Sequence, residues 1–118
     1  MPLNRKESNL VNSVSDGARL AQTLNHPKVL GLADFYHMDE EQEPLETLQA
    51  NGIWLGHIHL ADTKRLNPGT GQYNYSAFFG YLKAVNYSGR LSAECGVQGD
   101  PIEAMRYSLE FLRNAWEK

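Results

Sequence analysis

The sequence predicts an α/β chain whose strands lie parallel and are joined by helices. Three observations predict it. Short strand-like runs occur at 29–33, 53–60 and 90–95. Helical apolar periodicity lies between and around them, and Gly, Asn and Pro punctuate the junctions. Strict alternation of helix and strand makes the sheet parallel, with right-handed crossovers. An eight-stranded (β/α) barrel takes about 250 residues. With 118 residues, three strands, or four if Pro2-Leu3 is the remnant of another, suit half of a barrel, read as one truncated half-barrel domain over residues 1–118.

From Asn9 to Asn25 apolar residues fall at Leu10, Val14, Ala18, Ala21 and Leu24, the stripe of an amphipathic helix. Asn25-His26-Pro27 stops it. Val29-Leu30-Gly31-Leu32-Ala33 reads as a strand buried on both faces. Asp39 with Gln42 makes a capping box for a helix carrying Leu45 and Leu48, with Pro44 tolerated in its first turns. Asn51-Gly52 offers a left-handed exit. On the next strand Leu55, His57 and His59 share one face, and Trp54, Ile58 and Leu60 share the other.

Leu66-Asn67-Pro68-Gly69-Thr70-Gly71-Gln72 reads as a tight turn. Tyr75, Phe79 and Leu82 share a helical face to about Val85, and Asn86-Tyr87-Ser88-Gly89 ends that helix. The third strand places Leu91, Ala93 and Cys95 on one face and Arg90, Ser92 and Glu94 on the other. Asp100, Pro101 and Glu103 start a final helix whose apolar stripe is Ile102, Met105, Leu109, Leu112 and Trp116.

Composition narrows the partners. Fourteen acidic against eleven basic side chains, a net charge of -3, leave no electrostatic footprint for nucleic acid or anionic lipid. One cysteine, Cys95, rules out an internal disulfide framework and suits a reducing compartment. Without an apolar leader or a run of membrane-span length, a cytoplasmic location is expected.

Each strand ends in a residue able to bind a divalent cation: Asp34, His59 and Glu94. Two acids and an imidazole form an oxygen-rich set better matched to Mn²⁺, Mg²⁺ or Co²⁺ than to thiolate-type zinc. Ligand sites of parallel α/β folds lie at this C-terminal end of the sheet. Glu7, His37 and Arg65 fall on loops or helix starts where they could hold the hydroxyls of a polar substrate.

Leu3-Asn4-Arg5-Lys6-Glu7, Asp34-Phe35-Tyr36-His37-Met38, His57-Ile58-His59-Leu60-Ala61-Asp62 with Arg65, Pro68-Gly69-Thr70-Gly71 and Ala93-Glu94 together resemble the xylose-isomerase-like barrels, in particular the D-tagatose 3-epimerase (ketose 3-epimerase) branch. The resemblance spans nearly the whole chain and only the C-terminal half of that barrel. It implies that Asp34, His59 and Glu94 are three of four metal ligands, with Mn²⁺ favoured. It also implies that Glu94 is one of two acid/base carboxylates, and that Glu7, His37 and Arg65 bind the substrate's oxygens. In such enzymes the metal ties down neighbouring ketose oxygens and stabilises the enediolate formed when a carboxylate removes the adjacent proton.

The sequence departs from that pattern at one ligand. The family's remaining ligand and second acid/base is a glutamate six residues before the position of Glu7, where this chain has Met1, and a thioether neither ligates a hard cation well nor accepts the proton. A natural truncation, a fragment or half of an assembled barrel would each fit, and weak or absent activity is expected of the chain alone. The competing class is a non-catalytic half-barrel that binds metal or sugar or serves as an assembly module. A phosphodiesterase of the endonuclease IV type would need more than four histidines and a more basic surface. Open strand edges and an uncovered inner face predict a homodimer or higher homo-oligomer.

Overall fold

The computed structural model describes residues 1–118. Its strands are β1 (Gly31–Asp34), β2 (Leu55–Leu60) and β3 (Leu91–Ala93), hydrogen-bonded side by side in that order, with both pairings parallel. The helices are α1 (Val14–Leu24), α2 (Phe35–Glu40), α3 (Glu46–Ala50), α4 (Tyr75–Ala84) and α5 (Pro101–Glu117). Three strands are present, and Pro2-Leu3 is not a fourth. The expected α/β architecture of parallel β/α units is therefore observed.

The register carries the site. Asp34 pairs with His59, and His59 with Ser92, so the strand ends are level. The ladder extends one step further, with the Glu94 amide donating to the Leu60 carbonyl. Side chains alternate as a strand requires. Ala33, Ile58 and Leu60 are buried in the helical layer, while His57, His59 and Ser92 face the opposite side, where His57 Nε2 lies 2.9 Å from Ser92 Oγ.

The core on the helical side is aromatic. Phe35 stacks on Phe78 at 4.1 Å between ring centroids, and meets Tyr75 edge-on at 5.2 Å and Tyr73 tilted at 5.0 Å. Tyr75, Phe78, Phe79 and Leu82 of α4 are buried with Leu48 of α3. Phe35 follows Asp34 directly, so the packing that seats its ring also anchors the end of β1.

Several elements differ from the sequence expectation. Helix α1 starts at Val14, because the Ser13 side chain accepts the Asp16 amide, and Leu10 is left outside it and exposed. Val29 and Leu30 precede the strand and are exposed. Asp39 lies inside α2 rather than capping a helix. The N-cap is Asp34, whose Oδ1 accepts the His37 amide at 3.2 Å, and Gln42 takes a left-handed φ of 53° in the turn before α3.

At Asn51-Gly52 neither residue is left-handed. The chain passes into a 3₁₀ turn, and a Cβ on Gly52 would lie 2.6 Å from Val85 Cβ, so close approach explains the glycine. Leu55 is buried within the core rather than lying on an open face, because the register shifts between Gly31 and Leu32. In α5 the buried residues are Ser108 and Ala115, with Phe111, Leu112 and Trp116 partly buried, whereas Ile102, Met105 and Leu109 face outward.

Candidate metal centre

Asp34, His59 and Glu94 converge at the C-terminal end of the sheet. One donor atom from each lies within 4.8 Å of the others. His59 Nδ1 is 3.6 Å from Asp34 Oδ2 and 3.3 Å from Glu94 Oε2. Ligands held about 2.0–2.6 Å from one cation have separations of this order. Asp34 is 2 % exposed. Its Oδ2 and the buried His59 Nδ1 have no hydrogen-bond partner. Buried polar atoms are rarely left unpaired, since each unmade bond costs about 1–3 kcal/mol. The donor set, two carboxylates and one imidazole with two such atoms among them, fits a divalent cation.

The second group of expected residues is brought to the same rim. Arg65 reaches Glu94 Oε2 at 3.1 Å and Glu7 Oε1 at 3.4 Å, and its guanidinium lies 5.0 Å from the Tyr36 ring centroid. Partial burial pulls the Arg65 guanidinium down, but the facing carboxylates of Asp34, Glu7 and Glu94 outweigh it and hold the group above its ordinary value.

His37 is buried on α2. Its Nδ1 accepts the Asn4 amide at 3.2 Å and lies 2.8 Å from Asn4 Nδ2. An accepting Nδ1 carries no proton, so the 3.4 Å approach to Glu7 Oε2 is not an ion pair. The ring is then the neutral tautomer with its N–H on Nε2, and that Nε2 is a third buried atom lacking a partner. Asn4 Nδ2 also donates to Glu7 Oε2 at 2.6 Å, coupling the two substrate-binding candidates.

The sequence reading missed the residues that set this geometry. Asn4, 1 % exposed, is one. Asp62 is the other. Its buried carboxylate accepts the amides of Thr63 at 2.8 Å, Gly69 at 2.9 Å and Tyr73 at 3.2 Å, so the loop read as a simple turn is wrapped around one side chain. Gly71 belongs to the same arrangement, since a Cβ there would come within 2.3 Å of Asp62 Oδ1. The loop holds Lys64 and Arg65 at φ 59° each, a left-handed pair that non-glycine residues adopt only when surrounding contacts impose it.

Further contacts fasten the loop. The Arg65 carbonyl accepts the Gly96 amide at 2.8 Å, Ser108 donates to the Pro68 carbonyl, and Tyr107 donates to the Gly69 carbonyl. The signal available in the sequence was the acid at the end of His57–Asp62 followed by a glycine-bearing loop, a pattern equally common in plain turns.

A parallel β/α sheet with converging cation-type donors at its C-terminal strand ends is the layout of a barrel-type α/β enzyme. The chain belongs to the xylose isomerase-like TIM barrel family, whose model matches residues 2–115. It is 39% identical over 116 residues to the 3-dehydro-D-guloside 4-epimerase of Escherichia coli K12, covering 95% of this chain and 44% of that protein. It is 32% identical over 115 residues to the L-ribulose 3-epimerase of Methylomonas sp. DH-1, covering 97% and 40%. The apo crystal structure of an E. coli 3-keto-D-glucoside 4-epimerase superposes with a TM-score of 0.88 at 36% identity, over 96% of this chain and 44% of that one. The chain thus spans less than half the length of these sugar epimerases. No helix is long and apolar enough to cross a membrane.

Proposed function

We propose that this chain carries the metal-binding half of a cytoplasmic sugar epimerase site, acting by proton transfer next to a carbonyl. The convergence of Asp34 Oδ2, His59 Nδ1 and Glu94 Oε2, two of them buried and unpaired, carries the reading. These three residues would hold a divalent cation, Mn²⁺ first and Mg²⁺ or Co²⁺ as alternatives, and a cation there supplies Lewis-acid polarisation of the substrate carbonyl.

Glu94 is the acid/base. Its carboxylate takes the proton from the carbon beside the carbonyl, the C–H electron pair moves into the carbonyl to give an enediolate, and proton return to the opposite face inverts the centre. Arg65 holds Glu94 Oε2 in place through a charge-assisted contact at 3.1 Å. His37 presents a neutral Nε2–H to a substrate oxygen, and Glu7, tethered through Asn4, accepts a hydroxyl. Return of the proton requires a second carboxylate outside these groups, so the chain alone is expected to turn over weakly or not at all.

The substrate is a small sugar or sugar derivative. A ketose epimerised at C3 is the first reading, supported by the names of several relatives. The 39% identity to a 3-dehydro-D-guloside 4-epimerase favours a second, inversion at C4 of a 3-keto sugar. Both remove a proton beside a carbonyl, so the same groups serve either. The chain is also proposed to associate with itself when no other partner is present, through its open faces.

The test is calorimetric titration of the chain with Mn²⁺. Saturable 1:1 binding that is lost in His59→Ala and Glu94→Gln supports the centre, whereas binding unchanged in both variants refutes it. Assays with D-fructose, D-psicose and a 3-keto glucoside then separate C3 from C4 chemistry. Robust turnover by the chain alone would show that a second carboxylate is supplied from within it.

A further inference from the structure

The turn Asn4-Arg5-Lys6-Glu7 carries a buried amide side chain between two of the site's polar groups. Asn4 is 1% exposed and His37 2%. Asn4 Oδ1 accepts the Lys6 amide at 3.1 Å, the local turn that a short amide side chain makes with the backbone two residues on. The Asn4 carbonyl accepts the Glu7 and Ser8 amides. Arg5 pairs with Glu41 and Lys6 with Glu40, tying this turn to the far end of α2, the helix that carries His37.

Because Oδ1 faces the Lys6 amide, the carboxamide has one workable orientation. Turned over, it would set Nδ2 against that N–H and Oδ1 against the Glu7 carboxylate. Nδ2 therefore has two hydrogens for two acceptors, Glu7 Oε2 at 2.6 Å and His37 Nδ1 at 2.8 Å, and the Asn4 backbone amide reaches Nδ1 as a second donor at 3.2 Å. Glu7 Oε2 itself lies only 3.4 Å from Nδ1. A carboxylate this near an imidazole ordinarily takes its Nδ1–H. That pairing would move the ring hydrogen off Nε2, leaving His37 an acceptor where it now has a donor and occupying the Glu7 oxygen.

We propose that Asn4 is a positioning residue that keeps His37 and Glu7 from pairing with each other, so that Nε2–H stays a donor and the Glu7 carboxylate an acceptor for neighbouring substrate oxygens. The buried His37 Nε2 has no partner within the chain, as a donor kept for another molecule would not. A hydroxyl beside a carbonyl presents one oxygen that only accepts and one that also donates, and a donor set next to an acceptor matches it, whereas a His37–Glu7 pair would spend both. This role rests on reading the rim as a sugar site, but the state of the ring can be measured without sugar or cation.

The test is long-range proton–nitrogen NMR of the isotope-labelled, metal-free 118-residue chain, the His37 signals being those lost in His37→Gln. Wild type is expected to show the hydrogen on Nε2 and a bare Nδ1. Asn4→Asp keeps the oxygen that binds the Lys6 amide but replaces the shared donor by an acceptor, and should move the hydrogen to Nδ1. Asn4→Ala should do the same by letting Glu7 reach the ring, and adding Glu7→Gln to it should return the hydrogen to Nε2. A merely structural asparagine would lower the melting temperature without this reversal and rescue. A hydrogen on Nδ1 in wild type, a wild-type ring in both Asn4 variants, or a double variant that is not rescued would each overturn the proposal, and the wild-type spectrum decides even where a variant does not fold. Calorimetry with Mn²⁺ judges the epimerase reading separately. Reversal and rescue in a chain that binds no Mn²⁺ would support the role of Asn4 and count against that reading, and Mn²⁺ binding without reversal would do the opposite.

Discussion

The two faces of the sheet obey different rules. On the helical face Ile58, Leu60, Phe78 and Leu82 are sealed, and each has its place determined by several neighbours. On the opposite face His57, His59, Ser92 and Glu94 have no helix over them. Two of the site's best-buried atoms there, Asp34 Oδ2 and His59 Nδ1, bond to nothing. The helical face is where folding free energy is gained, and the other face is where the protein tolerates unsatisfied groups. Stability and chemistry are thus separated by the two-residue alternation of a strand, and a substitution's effect should depend on which way its side chain points.

Phe78→Ala should break the helical face most severely. It removes the ring stacked on Phe35 and leaves a cavity, a loss of about 3–5 kcal/mol. Urea unfolding should show it, and metal binding should fail with it because Phe35 anchors the end of β1.

Asp62→Ala should come second, although Asp62 lies at the boundary between the faces. It strips the acceptor from three partly buried backbone amides, which water can partly satisfy, so each costs less than the about 1–3 kcal/mol of a fully buried unpaired donor. Relaxation of the 62–73 loop should release Arg65 from Glu94, so binding of a sugar ligand should weaken more than the melting temperature falls. Equal effects on both would show that the loop does not position Arg65.

Substitution on the open face should do little to stability. Asp34→Asn keeps the side-chain oxygen that caps α2 while replacing the charge on an unpaired oxygen, so without metal it should change stability by less than about 1 kcal/mol. Any Mn²⁺-dependent rise in melting temperature should disappear in the same variant. A large metal-free loss would mean that the carboxylate is held by its surroundings rather than reserved for a cation.

The smallest effect concerns Glu43, which caps the first turn of α1 by accepting the Val14 amide at 2.9 Å. Burial pushes its carboxyl above the ordinary 4.5, and the amide bonds from Val14 and Ser15 offset this only in part. A folded-state pKa above the unfolded one means that the folded protein holds the proton more tightly. The corresponding stability is complete below pH 4.5 and is lost as the pH rises through the raised value. Glu43→Gln should flatten that decline while preserving the cap, seen as a shallower dependence of melting temperature on pH above 4.5.

By itself the sequence determined the alternation of helical segments with strands, the parallel sheet and the placing of three cation-type side chains at the strand ends. Those follow from local periodicity, and one alternating strand register is enough to bring Asp34, His59 and Glu94 level. It also placed His37, Arg65 and Glu7 near the site through their spaced motifs. Tertiary structure decided what periodicity cannot encode. The apolar row of α5 was legible, but only packing against α4 and the Asn67-Pro68 loop chose Ser108 and Ala115 as the buried side and turned Ile102, Met105 and Leu109 outward. Asp34 took the N-cap of α2 because its strand ends there, leaving Asp39 without that role. Asn4 and Asp62 became organising residues through bonds to His37, 33 residues away, and to Gly69 and Tyr73 across a loop. The physical reason is that a short polar side chain reads alike in a turn, a cap or a buried hub until the backbone amides it will accept have been carried to it by the fold.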